Sequence, residues 1–119
     1  IVLVEDNESV RSFAARVLAA QGYVVDAFAN GPDALAAAPT IPGRIDLLLT
    51  DVVMPDMNGK VLAERLVALR PGLRVLFTSG YTENVVVHHG VLTPGVEFLQ
   101  KPYTVASLID RVRAVLDRE

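Results

Sequence analysis

At 119 residues the chain is long enough for one domain with a real core and needs no disulfide staples. It contains no cysteine, which excludes a disulfide framework, a thiolate metal site and a cysteine nucleophile. A net charge of -3, a sequence pI near 5.3 and scattered Lys and Arg argue against direct nucleic-acid binding. The hydrophobic fraction of 51% is core rather than membrane span, because no apolar run approaches the roughly 18 residues a span requires, so no membrane contact is expected.

Opening on Ile1 within a strand-like run, without an initiator Met or a signal peptide, the chain reads as a domain trimmed from something longer. One domain over residues 1–119 is expected. Ile1 to Val4 form a short apolar run of strand type that leads into the acidic pair Glu5 and Asp6. Asn7 then caps a helix whose Val10, Phe13, Ala14, Val17 and Leu18 follow helical spacing, and Gly22 is placed to end it. Tyr23 to Phe28 make a second strand, broken by Asp26. Asn30-Gly31 turn the chain into an alanine-rich helix, Pro32 to Ala38, which Pro39 closes.

Thr40 to Arg44 connect to the central run. Ile45 and Leu47 to Leu49 are large and apolar without polar alternation, which suits a strand covered on both faces in a parallel sheet, and the run drives into Asp51. Pro55, Asn58 and Gly59 are turn residues, so Asp51 falls where a strand ends and a loop opens, the place where open parallel sheets keep their ligand sites. An Asp after a strand also serves as a helix cap or loop acceptor, so its position alone does not assign it.

After Gly59 a third helix directs Val61, Leu62, Leu66 and Leu69 inward and stops at Pro71-Gly72. Leu73 to Thr78 form a fourth strand that delivers Ser79 and Gly80 to the sheet edge. Tyr81 to Gly95 reads as a short or irregular helix over Thr82 to His88, weakened by three consecutive valines and stopped by Gly90, Pro94 and Gly95. Val96 to Leu99 make the final strand, ending in Gln100-Lys101-Pro102, and a last helix from about Thr104 turns Val105, Leu108, Ile109, Val112, Val115 and Leu116 inward. The alternation argues a doubly wound α/β domain, because parallel neighbours require right-handed helical crossovers.

The strand ends then lie along one edge, with Glu5 and Asp6 after the first, Asp51 after the third, Ser79 after the fourth and Lys101 after the fifth. Clustered acids raise one another's pKa unless a cation neutralises them. With oxygen ligands and no Cys, Mg²⁺ is the natural guest. A carboxylate, a divalent metal, an ammonium and a hydroxyl together make a site for a transferable phosphoryl group.

From Val2-Leu3-Val4-Glu5-Asp6 through Asp51-Val52-Val53-Met54-Pro55-Asp56-Met57-Asn58-Gly59 to Lys101-Pro102, the chain resembles the receiver domain of two-component response regulators. The Phe77-Thr78-Ser79-Gly80-Tyr81 and His88-His89-Gly90 stretches look most like receivers fused to hybrid sensor histidine kinases. The resemblance implies a five-stranded parallel sheet in flavodoxin-like order 2-1-3-4-5 with helices on both faces. It implies that Asp51 accepts a phosphoryl group from a histidine of a kinase or histidine phosphotransfer domain. Asp6, the Asp51 carboxylate and the Val53 carbonyl would ligate Mg²⁺, with Glu5 holding a metal-bound water. Lys101 would pair with Asp51 at rest and with the phosphoryl oxygen afterwards, ahead of a cis peptide to Pro102. Ser79 would be the switch hydroxyl and Phe98 the aromatic rotor, where the family often has Tyr. A cytoplasmic location follows from the same resemblance, for the domain or for the cytoplasmic part of a membrane-anchored parent. Self-association through the last helices is left open.

Glu5 departs from the commoner Asp, its extra methylene still reaching a metal water. An apolar Val53 cannot orient hydrolytic water, so slow loss of the phosphoryl group is expected. Asp56 reads as a loop cap, and His88-His89 as solvated surface. The resemblance makes the domain a phosphoacceptor rather than a turnover enzyme, any kinase activity residing in a longer parent. A Mg-dependent phosphohydrolase with an Asp nucleophile is the first rival, but such enzymes resemble one another in a second Asp two residues on, where this chain has Val53. A dinucleotide-binding module needs a glycine-rich first turn, and Glu5-Asp6-Asn7-Glu8 would repel phosphate. A receiver-like module that binds partners without phosphorylation is disfavoured because every acidic, hydroxyl and Lys position is filled.

Overall fold

Leu47, Leu48 and Leu49 are buried on both sides of the sheet, which places their strand at its centre. The structure, a computed structural model, describes residues 1–54, 56–79 and 97–117, with Ser79 and Glu97 described for the backbone alone. Its strands are β1 (Val2–Val4), β2 (Asp26–Phe28), β3 (Leu47–Asp51), β4 (Arg74–Ser79) and β5 (Glu97–Gln100). They form one parallel sheet in the order β2-β1-β3-β4-β5, as expected. The helices are α1 (Glu8–Ala20), α2 (Gly31–Ala37), α3 (Gly59–Leu69) and a last helix (Val105–Leu116).

Strand alternation sends successive side chains to opposite faces, and two cores result. Val2, Val4, Leu48 and Val52 pack with Ala34, Leu62 and Leu66 on the face covered by α2 and α3. Leu3, Leu47, Leu49 and Leu76 pack with Ala14, Leu18, Leu108 and Val112 on the face covered by α1 and the last helix. Truncating one fully buried leucine such as Leu48 to Ala would cost roughly 2–5 kcal/mol.

The helices begin where short polar side chains cap them. Asn7, Asn30 and Asn58 each accept a backbone N–H three residues on, at 3.1, 2.8 and 2.9 Å. Thr104 and Ser107 form a reciprocal capping box. Gly22 ends α1 with φ +95, a left-handed conformation that glycine adopts without a side-chain penalty.

Four expectations are corrected. The second strand is confined to Asp26–Phe28 because β1, its partner among the described residues, offers three residues; Asp26 lies inside it and Val24 is exposed. Pro39 does not close the second helix but sits in a 3-10 turn over Ala38–Thr40, since its fixed φ suits a first helical turn. Leu69 is 50% exposed in the last turn of α3, where the neighbouring Arg70 directs its guanidinium to the carbonyls of Ala38, Ile41 and Gly43. Val105 is 48% exposed at the first turn of its helix, where Leu108, Val112 and Val115 carry the burial. Tyr81, His88, His89 and the expected helix over Thr82 to His88 lie outside the described residues.

Candidate functional site

β1 ends against Glu5, β3 ends on Asp51 and β5 leads into Lys101, so the parallel sheet carries all three to one edge. One carboxylate oxygen each from Glu5, Asp6 and Asp51 lies within 4.8 Å of the others. Glu5 and Asp51 are buried, while Asp6 faces solvent. Lys101 Nζ donates to Glu5 Oε1 at 2.7 Å and to Asp51 Oδ2 at 3.1 Å. The Lys101-Pro102 peptide is cis, as expected.

Glu5 is held from several directions. Its Oε2 accepts the Asn7 backbone N–H at 3.0 Å, and its backbone carbonyl accepts from Arg11 Nη1 at 2.9 Å. Both carboxylate oxygens of Glu5 are therefore engaged by protein donors, an arrangement not foreseen from sequence, where Glu5 was expected only to hold a water. Asp51 differs: its Oδ1 is buried and finds no hydrogen-bond donor among the described residues. Such an oxygen is costly unless a ligand completes it.

Burial is the largest influence on both acids and pushes their pKa values up, against the Lys101 ammonium, which draws them down. Lys101 itself is raised: burial disfavours its charge, but hydrogen bonds to Glu5 and Asp51 outweigh that. Nearby, Tyr103 is pushed up to about 12 by burial and then by the charge of Glu5. The donor set is three hard carboxylates, with one buried oxygen unpartnered among the described residues, which fits a small hard divalent cation.

The other expected residues take defined places. Ser79 ends β4, in register with Gln100, and its side chain lies outside the described residues. Phe98 sits opposite Phe77 on β4 and packs, partly buried, against the core under α2 and α3. Val53 follows β3 by two residues and is also partly buried against that core. A groove of about 450 Å³, lined largely by Val10, Phe13, Pro102 and Tyr103, opens beside Lys101. A larger cavity of about 650 Å³ near Ile1, Asp26, Arg74 and Arg113 contains none of the carboxylate cluster.

A parallel sheet in this order that gathers three acids and a lysine at one edge defines a doubly wound α/β domain with an acidic site suited to a divalent cation. The family model described as "Response regulator receiver domain" matches residues 1–113, and the chain belongs to that family. Receiver domains serve two-component systems, interact with histidine kinases or phosphotransfer proteins, and bind Mg²⁺ at an acidic pocket. The chain is 33% identical over 119 residues to "Sensor kinase CckA" of Brucella abortus (strain 2308), covering 100% of this chain and 13% of that protein. It is 32% identical to "Response regulator receiver protein CpdR" of the same organism, over 98% of this chain and 95% of that one. Among solved structures, the receiver domain of hybrid histidine kinase CckA aligns with a TM-score of 0.82 at 39% identity, covering 98% of this chain and 97% of that one. Vibrio cholerae CheY4 aligns with a TM-score of 0.83 at 26% identity, covering 96% and 95%. The chain is thus a receiver domain related to those of hybrid kinases.

Proposed function

We propose that Asp51 is the phosphoacceptor of this receiver and that Asp6, Asp51 and the Val53 carbonyl hold Mg²⁺ beside it. The observation that carries this reading is the buried Oδ1 of Asp51, unpartnered among the described residues, beside the acids of Glu5 and Asp6, with Lys101 at 3.1 Å on its other oxygen. An Asp51 oxygen attacks the phosphorus of a phosphohistidine; the O–P bond forms, the N–P bond breaks, and the imidazole leaves with the electron pair. Mg²⁺, when bound, offsets charge on the phosphoryl oxygens.

The chain's own residues do the positioning. β3 fixes the attacking carboxylate, and burial keeps competing water low around it. Lys101 already contacts Asp51 and needs only a short movement to meet a phosphoryl oxygen. Ser79, at the end of β4, supplies the switch hydroxyl, and Phe98 the aromatic group that responds. The domain is read as one unit over residues 1–119 that receives its phosphoryl group from a histidine kinase or histidine phosphotransfer domain in the cytoplasm. Among the described residues no helix is long and apolar enough to cross a membrane.

Incubation with acetyl phosphate and Mg²⁺ followed by intact mass tests the assignment. Wild type should gain one phosphoryl group and Asp51→Asn none. A phosphorylated Asp51→Asn would overturn it.

A further inference from the structure

Gly59 begins α3 directly against the end of β3. A Cβ added there would be driven into the Asp51 carbonyl oxygen, and would lie 3.1 Å from the Asp51 carbonyl carbon and 3.1 Å from Val52 Cα. Those are backbone atoms, which cannot swing aside like the end of a side chain. Gly22, Gly43 and Gly72 have positive φ and open space around them; Gly59 is not among the positive-φ residues. Space, not backbone conformation, demands glycine at this position. Helix propensity alone would favour Ala there.

The peptide facing Gly59 is also held on its other sides. Its N–H, on Val52, donates to the Thr78 carbonyl at 2.9 Å, and its Asp51 carbonyl accepts from Thr50 Oγ1 at 3.1 Å. The next carbonyl, of Val52, accepts the Gly59 N–H at 2.8 Å. Displacing the Asp51 carbonyl rotates this peptide, which carries the Asp51 side chain at one end and leads through Val52 to the Val53 backbone at the other.

We infer that Gly59 is a positioning residue for the phosphorylation site: the bare α-carbon at the start of α3 seats the helix on the Asp51 carbonyl and so fixes the Asp51 carboxylate and the Val53 carbonyl relative to Asp6. The inference rests on the assignment of those three groups to Mg²⁺.

Calorimetric titration of the 119-residue chain with Mg²⁺ tests it, alongside circular dichroism to verify folding. Gly59→Ala should fold yet bind Mg²⁺ at least tenfold more weakly than wild type. Gly72→Ala, strained by its φ of +95 but remote from the carboxylates, should lose stability and keep the wild-type Kd. Equal Kd for Gly59→Ala and wild type overturns the inference, as does an equal loss in Gly72→Ala. Should Gly59→Ala fail to fold, Asn58→Ala replaces it, because it frees the first turn of α3 without adding an atom beside Asp51. At least threefold weaker Mg²⁺ binding is then expected, and an unchanged Kd overturns the inference. Wild type taking up no Mg²⁺ would instead sink the metal assignment itself, a result separable from all the others.

Discussion

Lys101 Nζ lies nearer Glu5 Oε1, at 2.7 Å, than the Asp51 oxygen it also contacts, at 3.1 Å. The ammonium is thus shared between two buried acids, and Glu5 is its shorter partner. Lys101→Met would leave both carboxylates buried without a counter-charge. Breaking a buried pair from one side typically costs roughly 3–5 kcal/mol, and a Lys101 side chain 18% exposed places this case near the lower end, about 3 kcal/mol. Urea unfolding near neutral pH in a chelator measures it. A loss under about 1 kcal/mol would mean that solvent already screens the pair.

Removing the acid that has one oxygen without a donor among the described residues has the opposite sign. Asp51 Oδ1 is buried without a partner among the described residues, and burial raises the Asp51 pKa despite Lys101. Asp51→Asn removes the buried charge at similar volume, so the metal-free protein should gain about 1 kcal/mol, or several degrees in thermal midpoint. Mg²⁺ should raise the midpoint of wild type and leave that of Asp51→Asn nearly unchanged. Thermal scans with and without Mg²⁺ decide both points.

The metal-free protein should become more stable on mild acidification. Glu5 and Asp51 have folded pKa values above their ordinary 4.5 and 3.8, so below neutrality the folded state takes up protons before the unfolded chain does. Stability therefore rises as pH falls through the raised values and levels off near the ordinary ones. Lys101, also raised, keeps its contribution until pH passes above 10.5. Asp117, held low by the exposed Arg113, loses its contribution only as pH falls below 3.8. Midpoints in a chelator should climb as pH is lowered from neutrality towards 4.5, and saturating Mg²⁺, which favours ionised carboxylates, should flatten the slope.

Asp51 and Lys101 were legible in the sequence because each follows an apolar strand in a chain that alternates strand and helix, and parallel topology then brings the strand ends together. Their partners were harder to see. Glu5 and Lys101 are 96 residues apart, and no local pattern indicates that both Glu5 oxygens go to protein donors. Gly59 read only as a turn residue, since a close approach to Asp51 is a tertiary fact. Leu69 and Val105 were misplaced because both sit in terminal helical turns, where the apolar stripe runs out and caps such as Arg70 decide orientation.

Arg70 should prove a stability residue without a part in phosphorylation. Its guanidinium donates to Gly43, Ala38 and Ile41 carbonyls at 2.7, 2.8 and 2.6 Å, tying the end of α3 to the segment before β3. Charge-assisted bonds are worth more than neutral ones, but these share one partly exposed side chain, so Arg70→Ala should cost about 2 kcal/mol. Phosphoryl uptake per folded molecule should match wild type. A slower uptake at equal folded fraction would show that this strap reaches the site.

Val53 bears on how long the phosphoryl group persists. The residue is two positions beyond Asp51, and its apolar side chain packs partly against the core under α2 and α3, offering neither donor nor acceptor to a water attacking the acyl phosphate. Val53→Asn supplies one hydrogen-bonding group. One well-placed bond of roughly 1.4 kcal/mol in the transition state corresponds to about tenfold in rate. Time-resolved intact mass after removal of acetyl phosphate should therefore show the variant losing its phosphoryl group about ten times faster, with the same initial yield. An unchanged decay would mean that water reaches the phosphorus from a direction Val53 does not control.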